Sequence, residues 1–275
     1  MKNEPEPPRW FSFSRSVAGY IGYGLGGIVL VTLLFPLSLM LGVFPPLRHG
    51  ALRAGFRLCC AFLTRAYLPM LGLYRIAEIS GYSRARARRP AIYVANHRGR
   101  LDGPLLLGII HNTGVIIKSK YARRPLYSSF VKHLDFVSVN PHSLESLAAA
   151  MKACERLLLA GRSLLVFPEG ARAASGKMLP FRDFAFRAAA NAGVPVVPVV
   201  VHSDLPFMAK IKGSHFPRRT FTYRVRFLDA VMRGAGEETA QFTERVRSML
   251  SRELAVLDRG TVWEAFSERG MINGG

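Results

Sequence analysis

Cysteine is scarce in this sequence: three in 275 residues, Cys59 and Cys60 adjacent and Cys154 alone. That arrangement supplies neither a disulfide framework nor the paired spacing of a zinc site, and a reducing compartment fits it best. Acids are also short, 18 Asp+Glu against 38 Lys+Arg, which leaves a formal charge of +20. Such an excess calls for an anionic partner, and nucleic acid, an anionic membrane surface and a phosphate-bearing substrate all qualify. No H-E-x-x-H pattern occurs, so no metal is implied. The stretches GYSRA and GRSLL lack the closing glycine of a nucleophile elbow, which sets aside a Ser-His-Asp lipase. Internal repeats and low-complexity tracts are missing as well.

Charge is absent altogether from Ser16 to Leu47, 32 residues between Arg15 and Arg48, longer than the roughly 20 apolar residues that cross a bilayer. The run is too long for a secretory h-region, lacks a clear cleavage site and follows acidic Glu4 and Glu6, so it reads as a retained anchor. Gly19, Gly22, Gly24, Gly26 and Gly27 precede Pro36, and Pro45 and Pro46 follow. A spanning helix and a re-entrant hairpin both accommodate those breakers. Residues 56–76 mix Arg57, Arg65 and Arg75 with apolar residues, the pattern of a helix lying in the membrane interface, with a core helix as the alternative. Arginines on both sides of the uncharged run leave its orientation open, although the excess after it favours a body on the cytoplasmic side of the inner membrane. A DNA-binding module has no need of such an anchor, which removes nucleic acid. The expected divisions are a tail over 1–15, a membrane-anchoring helical segment over 16–73 and a folded body over 74–275.

From residue 74 the pattern turns to short β-rich runs: YRIAEIS, AIYVANH, GVIIKSK, DFVSVN, SLLVFPEG, VPVVPVVVHS and FTYRVRFLD. Helical segments separate them, so the expectation is an α/β fold, a mixed sheet covered by helices, behind an N-terminal membrane-embedded helical segment. One helix runs from Ser143 to Ala160, with Leu144, Leu147, Ala148, Met151, Cys154 and Leu158 on one stripe, a serine cap and Gly161 as the stop. Cys154 therefore reads as core. A second helix over 237–257 carries Phe242, Val246, Leu250, Leu254 and Leu257 on one face.

The stretch YVANHRGRLD, residues 93–102, ends a buried strand at Asn96 and His97 and opens an apolar helix near Asp102. A carboxylate that accepts from one imidazole nitrogen leaves the other basic, which makes His97 and Asp102 a candidate general-base pair. A capping Asp102 beside a surface His97 is the competing reading. A second strand runs into Phe167, Pro168, Glu169 and Gly170, followed by Arg172. The Arg172 guanidinium could hold a phosphate in two-pronged fashion, with Glu169 orienting it or a substrate hydroxyl. A strand-ending turn with solvated charges is the plain alternative.

Together, NHRGRLD and FPEGAR, followed by VPVVPVVV, resemble the glycerolipid acyltransferase family that includes 1-acylglycerol-3-phosphate acyltransferase, over roughly residues 74–230. The resemblance implies that 74–275 is an acyltransferase domain, with His97 and Asp102 as the H-x4-D dyad and Asn96 just before it. It also implies that Glu169, Gly170 and Arg172 bind the acceptor, that Pro198 marks the last motif, and that an N-terminal helical element docks on the membrane. The chain departs from the family pattern at Gly99, Ala171 and Ala173, where hydroxyl-bearing residues are common, and at Asn140, where an arginine usually helps hold the phosphate. Lys118, Arg123 or Arg124 could take that charge's place.

The implied reaction moves an acyl group from acyl-CoA or acyl carrier protein to a lysolipid hydroxyl, most simply 1-acylglycerol-3-phosphate, with no cofactor and no metal. A lyso-ornithine lipid or another lysolipid is the alternative acceptor, and a non-catalytic lipid-binding protein the alternative class.

Overall fold

The computed structural model describes residues 7–40, 45–88, 90–124, 128, 131, 133–173, 177–211 and 215–265. Each of the seven β-rich runs forms a strand: β1 (Tyr74–Ser80), β2 (Ile92–Ala95), β3 (Thr113–Lys118), β4 (Val137–Val139), β5 (Ser163–Val166), β6 (Val196–Ser203) and β7 (Phe221–Phe227). They form one sheet in the order β1-β7-β6-β2-β5-β3-β4. All neighbours are parallel except β6 and β7, so the sheet is mixed as expected. The central strands β2, β5 and β6 are buried at every residue, which is why their sequences are unbroken apolar runs rather than alternating ones.

Side chains alternate between two cores. Tyr93, Ala95, Val197 and Val199 point into one core with α2 (Pro45–Phe62) and α3 (Asp102–Ile109). Ile92, Val94, Val196 and Val200 point into the other, with α4 (Leu144–Leu159), α5 (Phe184–Asn191) and α6 (Thr239–Asp258). Helix α4 begins as expected, with the Ser143 hydroxyl accepting from the Ser146 N–H. Cys154 is fully buried there, and burial pushes its thiol up to about 12. Leu144 departs from its expected place in the stripe: it is 86% exposed, one turn too early to reach the sheet, and Ala148 is exposed too. Helix α6 opens with a reciprocal cap between Glu238 and Gln241, and buries Phe242, Val246, Leu250 and Leu254.

The N-terminal segment differs from the expectation. Helix α1 (Arg9–Met40) runs unbroken through the five glycines and Pro36. Gly19 and Gly22 are close-packing positions rather than breakers: a Cβ at Gly22 would sit 2.1 Å from the Tyr67 ring and one at Gly19 2.5 Å from Leu73. Arg15 and Ser16 are buried, with Arg15 donating to the carbonyls of Gly72 and Pro217. The helix read over 56–76 ends early, since α2 passes through a π-turn at Leu63–Tyr67 and a last turn at Leu68–Met70 before β1 begins. Leu52, Phe56, Cys60, Leu68 and Leu73 then belong to the same core as the sheet. Among the described residues no helix is long and apolar enough to cross a membrane, and the spanning form of the expectation finds no support in them. Residues 41–44, within the uncharged run, lie outside the described residues.

Candidate active site

The site lies where β2, β5 and β3 end, the edge at which parallel α/β sheets place their chemistry. Strand β2 stops at Ala95, and Asn96 is buried with its side-chain amide donating to the Val201 carbonyl and its side-chain oxygen accepting from the Val201 N–H. Its polar atoms are thus taken up in tying the strand end to β6. His97 follows, and the chain turns through Arg98 and Gly99 so that Asp102, the first residue of α3, comes back beneath it.

His97 Nδ1 and Asp102 Oδ2 lie 2.9 Å apart. The same carboxylate oxygen accepts from the N–H of Arg98 and of Gly99, both at 2.8 Å. Three donors converge on one oxygen, and Asp102 itself is buried. Those backbone N–H groups precede the helix, so Asp102 closes the loop that carries His97 rather than capping α3. With the carboxylate accepting at Nδ1, the Nε2 of His97 carries the lone pair and can take a proton. The imidazole lies against the Phe167 ring, with centroids 4.3 Å apart, and its side chain keeps 22% exposure. The ring is held on one side and open on another, as a general base requires.

The second motif supports the first from below. Glu169 is buried, and its oxygens accept from the His97 N–H and the Leu179 N–H, each at 2.8 Å. Burial pushes its carboxyl up, against the opposing pull of those two N–H donors. Ala173 N–H donates to the His97 carbonyl, so the backbone of His97 is gripped at both its polar groups. Gly170 takes a positive φ of 64°, and a Cβ there would stand 3.2 Å from Lys118 Cε and 3.3 Å from Arg182 Nε. Glycine at this position lets two cations approach one turn.

Arg172 is half-buried and donates through Nη1 to the Met208 carbonyl at 2.6 Å. Burial lowers its pKa, and so does the nearby charge of Arg100, while Asp102 opposes the shift. Lys118, at the end of β3, is lowered by burial and then by Arg182, Lys120 and Lys210. Lys118 and Arg182 thus stand against Gly170, and Arg172 lies near Arg100 and Asp102, so the positive charge along this motif favours an anionic group. Asn140, just past β4, has its side-chain oxygen accepting from the His142 N–H and its own N–H on Ser146 Oγ, a local turn before α4. Arg123 and Arg124 are exposed. Arg182, which the sequence reading passed over, comes to the site because Pro168 O accepts from its N–H; its signal was a lone cation in LPFRDF. Among the described residues no group of three or more His, Cys, Asp or Glu is placed to hold a metal.

The site thus joins a His-x4-Asp pair at a strand-to-helix turn of an α/β sheet to a buried glutamate and nearby cations. Residues 76–202 of the chain match the family model described as Acyltransferase. The 1-acyl-sn-glycerol-3-phosphate acyltransferase BAT2 of Brassica napus is 33% identical over 112 residues, 41% of this chain and 33% of that one. The human 1-acyl-sn-glycerol-3-phosphate acyltransferase beta is 29% identical over 199 residues, 70% of this chain and 69% of the other. The chain spans about a third of the length of the Brassica and Arabidopsis relatives that it matches. The crystal structure of the 1-acyl-sn-glycerophosphate acyltransferase PlsC from Thermotoga maritima superposes with a TM-score of 0.71 at 19% identity, covering 90% of this chain and 98% of that one. At that identity the likeness concerns the fold.

Proposed function

We propose that this protein transfers a fatty acyl group from a thioester donor, acyl-CoA or acyl carrier protein, to the free hydroxyl of 1-acylglycerol-3-phosphate. The observation that carries the proposal is the dyad, a partly exposed histidine locked at Nδ1 by a buried carboxylate. His97 Nε2 takes the hydroxyl proton as that oxygen attacks the thioester carbonyl, and the thiolate leaves as the tetrahedral intermediate collapses. No acyl-enzyme is required. Lys118, Arg182 and Arg172 hold the acceptor phosphate beside the dyad, a role supported by the positive charge along the second motif. The names of the relatives support phosphatidate synthesis over a lyso-ornithine acceptor.

The reading places the protein on the cytoplasmic membrane, with its site toward the cytoplasm. Trp10, Phe13, Ile21, Leu25 and Ile28 of α1 are exposed, as are Leu58 and Phe62 of α2 and Met70 after it. A paired set of helices with such a surface can lie in a membrane interface without crossing it, and the +20 charge strengthens attachment to anionic lipids. The test is acyl transfer from labelled acyl-CoA and acyl carrier protein to a lysolipid panel. Phosphatidate formed from lysophosphatidate well above the other products is the expected result. Transfer to none of the lysolipids, or preference for one without a phosphate, contradicts it.

A further inference from the structure

Arg98 stands between His97 and Gly99 in the catalytic turn, and its two ends do different things. Its N–H donates to Asp102 Oδ2 at 2.8 Å. Its side chain is buried and runs away from the site to Asp258, the last residue of α6, with Nη1 and Nη2 each 2.7 Å from one carboxylate oxygen. The indole of Trp263 covers the guanidinium at 4.4 Å to the ring centroid. Trp263 is fully buried and pinned in turn, its Nε1 donating to the Ser203 carbonyl at 2.6 Å. Fully buried His202 brings Nε2 to 3.4 Å from Asp258 Oδ1. Asp258 and Trp263 both lie beyond the segment 76–202 that matches the acyltransferase family.

We propose that Asp258 and Trp263 are positioning residues for the dyad: through Arg98 they fix the backbone that aims two N–H groups at Asp102, and so fix His97. Stability alone is a poor reason for the pair, because a buried ion pair is often no more stabilising than apolar residues of the same volume. Geometry is the better reason. A two-pronged arginine–carboxylate contact sets direction as well as distance, and Arg98 Cα is adjacent to the His97 peptide. The inference rests on the acyl-transfer reading for its rate effect, though the placement of the His97 proton can be observed without turnover.

The test uses the full-length protein in lipid or detergent, with Asp258→Asn, and the double variant Arg98→Met/Asp258→Leu. Steady-state rates are taken well below each melting temperature. Displacements near 1 Å cost up to about 100-fold in rate, so Asp258→Asn is expected to lower kcat by about 10- to 100-fold with both KM values unchanged. The apolar double variant is expected to regain the melting temperature lost in Asp258→Asn while kcat stays low. The proton resonance of His97 Nδ1, assigned by its loss in His97→Ala, should move or broaden in both variants. A kcat within about twofold of wild type in Asp258→Asn, or a kcat that recovers with stability in the double variant, overturns the proposal and leaves the pair purely structural. Should the wild-type protein transfer no acyl group, the functional reading falls by itself; an unmoved His97 resonance in Asp258→Asn then still overturns the positioning role.

Discussion

Glu169→Gln separates two roles for the glutamate, holding the acceptor and holding the site. Both of its partners are donors, the N–H groups of His97 and Leu179. Glutamine keeps one carbonyl oxygen and turns an NH2 toward the other donor, so one of the two N–H groups loses its acceptor. A buried donor left unpaired costs about 1–3 kcal/mol. Removing the charge returns part of that, since burial already pushes the Glu169 carboxyl up. A net loss of about 1–2 kcal/mol follows, which for a chain of this size shifts Tm by roughly 2–8 °C. Because the lost contact includes the His97 peptide, kcat should fall several-fold as well. Thermal unfolding followed by circular dichroism, with kcat and KM for both substrates, is the assay. If Glu169→Gln melts with the wild type and changes only the acceptor KM, Glu169 contacts the acceptor and the bridging role is refuted.

Three further outcomes follow from the same geometry. Lys118→Gln and Arg182→Gln should each raise the lysophosphatidate KM about 10-fold or more, the worth of a charge-assisted hydrogen bond, with the donor KM unchanged; an equal rise for both substrates places these cations elsewhere. Burial pushes the Asp258 carboxyl up, but the hydrogen bonds and charges of Arg98 and His202 together outweigh it and hold the group below the ordinary aspartate range. Its stabilising contribution is therefore present above about pH 4 and is lost as pH falls through the lowered value; a pH series of denaturant melts should show a shallower acid loss in Asp258→Asn. Replacing Trp10, Phe13 and Ile21 by serine should weaken binding to anionic vesicles several-fold in a flotation assay without altering the circular dichroism spectrum, and unchanged binding would remove α1 from the membrane contact.

The sheet was legible because its central strands are buried on both faces, so that runs such as VPVVPVVV can be little else. The dyad was legible because both residues lie in one turn, five positions apart, where local geometry settles their meeting. What could not be read depends on distant chain. The two N–H groups that occupy Glu169 come from 72 and 10 residues away, and nothing in FPEGAR distinguishes a carboxylate that grips backbone from one that greets a substrate. The same holds for Asn96, whose partner Val201 is 105 residues on, and for Asp258, 160 residues from Arg98. Glycines in α1 read as breakers because glycine weakens an isolated helix; only Leu73 against Gly19 and the Tyr67 ring against Gly22 give those two another purpose.

The central claim is that His97 and Asp102 act as one base, and a double-mutant comparison of acyl-transfer rates tests it most directly. General-base help is typically worth about 10²- to 10⁴-fold. His97→Ala should lose that much, Asp102→Asn most of it, and the double mutant should be little worse than His97→Ala alone. Circular dichroism and vesicle binding must match the wild type in all three variants. Losses that multiply in the double mutant, or a His97→Ala protein within about tenfold of wild type, would contradict the account.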